Sequence, residues 1–144
     1  MASPSMNLDR PRKETTMGIS LMYLDPSTGD ANDEDSYDLL LKVLIRSRRR
    51  VLECSSREAG GGFSKLIELK PDPWFQKDNP KLRIDVGANE FVFYVDGKRV
   101  GAVNRAVKRG KVTHFKYLIY PPNAESAMGK GVTVTTYKQI SLVP

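Results

Sequence analysis

Apolar and polar residues alternate with a period of two along most of this chain, the pattern of strands half buried in a sheet. It is clearest in residues 90–104, EFVFYVDGKRVGAVN. Phe91, Phe93 and Val95 fall on one face of an extended segment, Val92 and Tyr94 on the other. Asp96-Gly97 then supplies a two-residue turn whose positions both need positive φ. The chain returns through Lys98 to Val103, with Val100 and Val103 as apolar anchors. This predicts a β-hairpin. The preceding KLRIDV (residues 81–86) alternates as well, placing Leu82, Ile84 and Val86 inward and Arg83 and Asp85 outward.

The same reading marks further strands at Gly18 to Leu24, Val51 to Ser55, Phe63 to Leu69, His114 to Tyr120 and Gly131 to Val143. Residues Tyr37 to Arg46 could place Leu40, Leu41 and Leu44 on one helical face. The β-branched Val43 and Ile45 favour a strand instead. In that strand Leu39, Leu41, Val43 and Ile45 share one side, and Lys42, Arg46 and Arg48 share the other with Leu40 and Leu44; Ser47 to Arg50 is the loop that follows. Between the strands lie breaks: Asp25-Pro26-Ser27-Thr28-Gly29-Asp30, a charged mobile bulge continuing to Asp35, Gly60-Gly61-Gly62, Lys70-Pro71-Asp72-Pro73, and a loop from Pro121 to Gly131. About nine or ten short strands separated by turn signals, with no amphipathic helix of ordinary length, describe an all-β sandwich or barrel. Residues 1–16, polar and containing Pro4 and Pro11, read as a mobile tail; residues 17–144 form the folded domain.

A chain of 144 residues with 40% hydrophobic content can bury a core of its own. No apolar run approaches the roughly 18 residues of a membrane span. The N-terminal MASPSMNLDRPRKETT lacks the apolar stretch of a secretory signal, and Cys54 stands alone, so a reducing compartment is the simpler expectation. Net charge is +6, and it is segregated. Asp25 to Asp38 holds six acids and no base, while Arg46, Arg48, Arg49 and Arg50 follow closely; Lys108, Arg109 and Lys111 form a second basic cluster. Basic blocks bind anions by releasing counterions, or serve only as solvated loops. The Arg-rich run has no aromatic interleaved with it and an acidic neighbour, which argues against nucleic acid.

Catalytic chemistry has few carriers here. One His and one Cys cannot form a usual zinc site. His114 has no motif partner and reads as a half-buried strand residue, and no phosphate-cradling, dinucleotide or nucleophile-elbow motif occurs. The expectation is a binding protein, not an enzyme, with no cofactor and no metal. Trp74, between Pro73 and Phe75, reads as core or edge packing, and Cys54 as a small buried residue.

The hairpin FVFYVDGKRV, followed by Asn104-Arg105, is similar to a hairpin of the galectin family, and the order of features over residues 18–143 resembles a galectin carbohydrate-recognition domain. The resemblance implies a jelly-roll-like antiparallel β-sandwich of the galectin or concanavalin A-like kind. It sets LLLKVLIRS at the strand that carries H-x-N-x-R in the family, VLECSS at the next, GFSKLIEL at the strand of W-x-x-E-x-R, and PDPWF at a Pro-aromatic segment. Lys42 then stands for the signature His, Leu44 for the Asn, Arg46 for the Arg, Cys54 for the second Asn, and Phe63 for the stacking Trp. Leu66 stands for the clamping Glu, or Glu68 if the strand slides by two. Phe63 is open between a core position and a stacking platform. The carbohydrate-binding candidates are therefore Lys42, Arg46, Arg48, Cys54, Phe63 and Glu68.

What this implies is a non-enzymatic lectin whose cationic face prefers an anionic or non-galactoside glycan. The alternative is an interaction module on the same fold without sugar binding. The resemblance also implies a homodimer through a sheet edge, for which residues 131–143 are the candidate, and a cytoplasmic location or secretion without a signal peptide.

Overall fold

A computed structural model describes residues 16–77 and 80–120. Eight strands are present among them: β1 (Thr16–Tyr23), β2 (Asp38–Arg46), β3 (Val51–Arg57), β4 (Ile67–Leu69), β5 (Leu82–Val86), β6 (Glu90–Val95), β7 (Lys98–Asn104) and β8 (His114–Tyr120). They form two antiparallel sheets, one of five strands in the order β4-β3-β2-β1-β8 and one of three in the order β5-β6-β7. The all-β sandwich expected from the alternation is the observed architecture. The expected N-terminal tail and the edge segment 131–143 lie outside the described residues.

The main core fills the space between the sheets. Met17, Leu21, Leu41, Val43, Ile45, Leu52 and Cys54 come from the larger sheet, and Phe91, Phe93, Val95 and Val103 from the smaller. Trp74 and Phe75 join them, edge to face with ring centroids 4.9 Å apart. Trp74 is thus a packing residue, as expected. At Asp96-Gly97 both residues have positive φ, +50° and +86°, the turn that the sequence demanded. Val100 and Val103 are three residues apart, so strict alternation cannot turn both inward. An irregularity in the β6–β7 register between Phe93 and Tyr94 resolves this, and Val100 packs against the core that Val103 enters.

A second irregularity departs from the expected parity of β2. Leu21 pairs with Leu41 but Met22 pairs with Leu39, so Leu40 is an extra residue. Past this bulge the strand turns over. Leu40 joins Leu41 in the main core, whereas Leu39 packs with Met22, Leu24 and Tyr37 in a separate small cluster. The sequence reading put Leu39 with Leu41 and Leu40 with Lys42; the bulge reverses both.

Other corrections are local. Of Phe63 to Leu69, only Ile67–Leu69 is strand, with Phe63 held by one bridge to Arg57. Val86 is 47% exposed, because β5 is a strand edge of the smaller sheet among the described residues. His114 is exposed, not half buried. The acidic stretch before β2 has internal order: Asp33 caps a short 3-10 turn, Glu34–Ser36, and the Ser36 hydroxyl donates to the carbonyls of Asp30 and Asp33.

Residues 105–110 tie the two sheets together. Arg105 is buried, and its guanidinium donates to the carbonyls of Val107, Gly87 and Gly110. Arg109 grips the buried carboxylate of Asp38 on β2 with two hydrogen bonds, at 2.9 and 2.8 Å, and the Ala59 amide adds a third at 2.8 Å. The Arg109 hydrogen bonds hold the Asp38 carboxyl below the ordinary carboxylate range, against the opposing effect of burial.

Two outcomes follow from these contacts. A folded-state pKa below the unfolded value means Asp38 stabilises the fold above the unfolded pKa, and that this is lost as pH falls through the folded pKa. Asp38→Asn should cost about 1–3 kcal/mol at neutral pH, and the gap to the parent should shrink below about pH 4 in denaturant titrations run across pH. Gly110 has a φ of +77°, and a Cβ there would lie 2.7 Å from the Tyr23 ring. Gly110→Ala should therefore destabilise by more than about 1 kcal/mol, whereas Gly62→Ala, with nothing within 4 Å, should leave the melting temperature nearly unchanged.

Candidate functional site

The outer face of the five-stranded sheet, turned away from the core, carries most of the candidate residues. Its composition follows from the pairing. Residues directly opposite one another in an antiparallel ladder point to the same side. Tyr117, Ile19, Val43 and Cys54 are cross-strand neighbours on the core side. One step along, Lys116, Ser20, Lys42 and Ser55 form a row across β8, β1, β2 and β3 on the outer side. A second row brings Gly18, Leu44, Glu53 and Glu68 together, and a third aligns Arg46 with Val51.

One end of this face is an ionic network. Arg46 Nε donates to Glu53 Oε1 at 2.7 Å, Arg49 Nη1 to Glu53 Oε2 at 2.9 Å, and Arg49 Nη2 to Glu68 Oε2 at 2.7 Å. Burial alone would raise the Glu53 carboxyl; the hydrogen bonds and charges of Arg46 and Arg49 outweigh it and hold the group below its usual range. Two cations thus balance two anions. The Arg49 bonds also fasten the β2–β3 turn onto the sheet.

The other end is aromatic and cationic. Phe63 is 56% exposed. Lys42 Nζ lies 5.4 Å from its ring centroid and the Arg57 guanidinium 5.5 Å. Arg57 is itself buried, stacks 5.8 Å from the Tyr37 ring, and donates to the Glu34 carbonyl, with Asp35 3.9 Å away. Its Nε is buried without a hydrogen-bond partner. The small cluster of Met22, Leu24, Tyr37 and Leu39 backs this wall.

Of the six candidates, Lys42, Arg46, Phe63 and Glu68 are brought to this one face. Phe63, open between core and platform in the sequence, is a surface aromatic. Arg48 is exposed in the β2–β3 turn, beyond the end of β2 at Arg46, and does not share the strand face with Lys42. Cys54 must be corrected: it is 1% exposed and faces the core, where burial pushes its thiol pKa up to about 12. The outward positions on either side of it are Glu53 and Ser55. Glu53, which ties the network together, was missed, although the apolar alternation of Leu52 and Cys54 signals that Glu53 points the other way. Arg57 was missed as well.

No protein-family model matches the sequence, and no curated protein matches it. Solved structures do. A tetrameric galectin from the ball sponge Cinachyrella sp. is similar over 78% of this chain and 85% of its own, at 21% identity and a TM-score of 0.53. A Caenorhabditis elegans galectin, LEC-6, matches over 85% of this chain and 81% of its own, at 14% identity and a TM-score of 0.47. Sheep galectin-11, solved in complex with glycerol, matches over 74% and 91%, at 13% identity and a TM-score of 0.45. The sponge protein carries the structural argument, and it does so for most of the length of both chains. The antiparallel two-sheet β-sandwich of this chain is that of the galectin fold.

Proposed function

We propose that the protein is a lectin that binds a glycan, without transforming it, on the outer face of its five-stranded sheet. The observation that carries this reading is Phe63, an aromatic ring left 56% exposed on a face that also presents hydroxyls, cations and a carboxylate–guanidinium network. Sugars offer an apolar ring face and a rim of hydroxyls, and such a surface supplies one platform and several fixed polar groups.

The preference departs from that of a β-galactoside site. Leu44 stands in the middle of the face and offers no hydrogen bond, and Lys42 replaces an imidazole with an ammonium. A site that loses the groups reading a given hydroxyl loses its discrimination for it. The ligand is accordingly a non-galactoside or anionic glycan. On this reading the protein acts in the cytoplasm, or outside the cell after export without a signal peptide. A second reading is favoured by Leu66 and Ile67, 48% and 43% exposed where the edge strand β4 begins. They make an apolar rim fit for a protein partner, on a fold that has given up sugar.

A glycan array on the purified chain separates the two. Retention of any glycan class supports the lectin. Phe63→Ala should then weaken binding about tenfold through loss of apolar contact, with circular dichroism unchanged. Arg46→Ala should weaken it further, because Glu53 is left with Arg49 alone. A glycan-silent array, together with capture of a protein partner that Phe63→Ala abolishes, would overturn the lectin in favour of the interaction module.

A further inference from the structure

The cations of this molecule are not equally engaged. Arg46 and Arg49 are spent on Glu53 and Glu68, Arg109 on Asp38, and Arg83 on Asp85. Lys42 and Lys116 differ. Among the described residues neither is paired with a carboxylate, and the one contact of the Lys42 ammonium is the Phe63 ring. They stand in the same cross-strand row, separated by Ser20 on β1, with Ser55 following on β3. Ser20 and Ser55 are half buried, and their hydroxyls have no partner among the described residues. Adjacent strands lie about 4.8 Å apart, so the two lysine Cα atoms are about 10 Å apart. The row therefore reads ammonium, hydroxyl, ammonium, hydroxyl across four strands and ends at the Phe63 ring and the buried, incompletely satisfied Arg57.

A row of two cations and two hydroxyls, with no carboxylate in it, is complementary to a ligand rich in anionic acceptors. A neutral sugar would offer the two ammonium groups only uncharged acceptors. A sulfate ester or carboxylate on the sugar would meet them with charge-assisted hydrogen bonds. We propose that this row is an anion-reading subsite for an extended acidic glycan that lies across the strands, one sugar against Phe63 and its acidic substituents over Lys42 and Lys116. The proposal rests on the lectin reading above and deepens it. It locates the anion preference in two lysines, and not in the arginine-rich turn where the sequence concentrates charge.

The test is calorimetry on matched ligands: a neutral oligosaccharide, the same compound bearing a sulfate ester, and the same compound bearing a carboxylate sugar. The ratio of acidic to neutral affinity should exceed one. It should fall about fivefold in Lys42→Gln and again in Lys116→Gln, a surface ion pair each. It should not change in Lys108→Gln, an exposed lysine of the 105–110 loop. A gain with only one of the two acidic ligands would identify which acid the row reads. Equal affinity for acidic and neutral forms would overturn the subsite and leave the lectin standing. So would an equal loss in Lys108→Gln, or equal competition by a single-stranded oligonucleotide of matched charge. Failure of all three ligands to bind, together with a glycan array that retains nothing, would overturn both.

Discussion

One extra residue in β2 decides how this sheet presents itself. Without the bulge at Leu40, Leu39 would continue the inward series of Leu41, Val43 and Ile45, and would no longer pair with Met22 and Arg57, which face outward by the alternation of their own strands. With the bulge, the end of the strand rolls over. Leu39 instead joins Met22 in the small outer cluster with Leu24 and Tyr37, beside which Arg57 rests on Tyr37 and Phe63. The place of Leu39 in the apolar backing of the candidate site is thus a consequence of how β2 pairs. The rest of β2 keeps Lys42, Leu44 and Arg46 outward and in line.

Charge balance divides that face into two chemically different halves. At one end two arginines and two glutamates neutralise each other in a fixed geometry. Such a unit gives orientation more than attraction, since its charges are already met. At the other end an ammonium and a guanidinium flank an exposed aromatic ring, and the guanidinium has the Asp35 carboxylate 3.9 Å away. The segregation of basic and acidic residues along the sequence suggests a different distribution, centred on Arg46 to Arg50. Folding redistributes it: Arg49 bends back to the glutamates, and the lysines of the sheet, spread along the chain and inconspicuous there, come into register.

Much of the architecture could be read directly from the residues. The β6–β7 hairpin follows from strict alternation and an Asp-Gly turn, both local properties. The core positions of Phe91, Phe93, Val43 and Ile45 follow from the same alternation. What escaped was what depends on an inserted residue or on a partner far away in sequence. The Leu40 bulge has no local mark, because Leu39, Leu40 and Leu41 are all apolar and any two could face inward. Cys54 was placed on the binding face by matching a motif across a turn of unknown length, a slip of one position, and in a strand one position is the whole difference between inside and outside. Arg57 gave no signal because its partners, Tyr37 and Phe63, come from two different loops.

The loop from Arg105 to Gly110 holds one sheet through main-chain carbonyls and the other through a carboxylate. A guanidinium keeps its proton at any pH a protein survives, and carbonyls have none to gain, so the first tether is indifferent to acidity. The second is not, because protonated Asp38 no longer attracts Arg109 as an ion. In strongly acidic surroundings the loop would stay latched to the smaller layer while its hold on the larger one slackens, so the sandwich has a designated side from which it would begin to part.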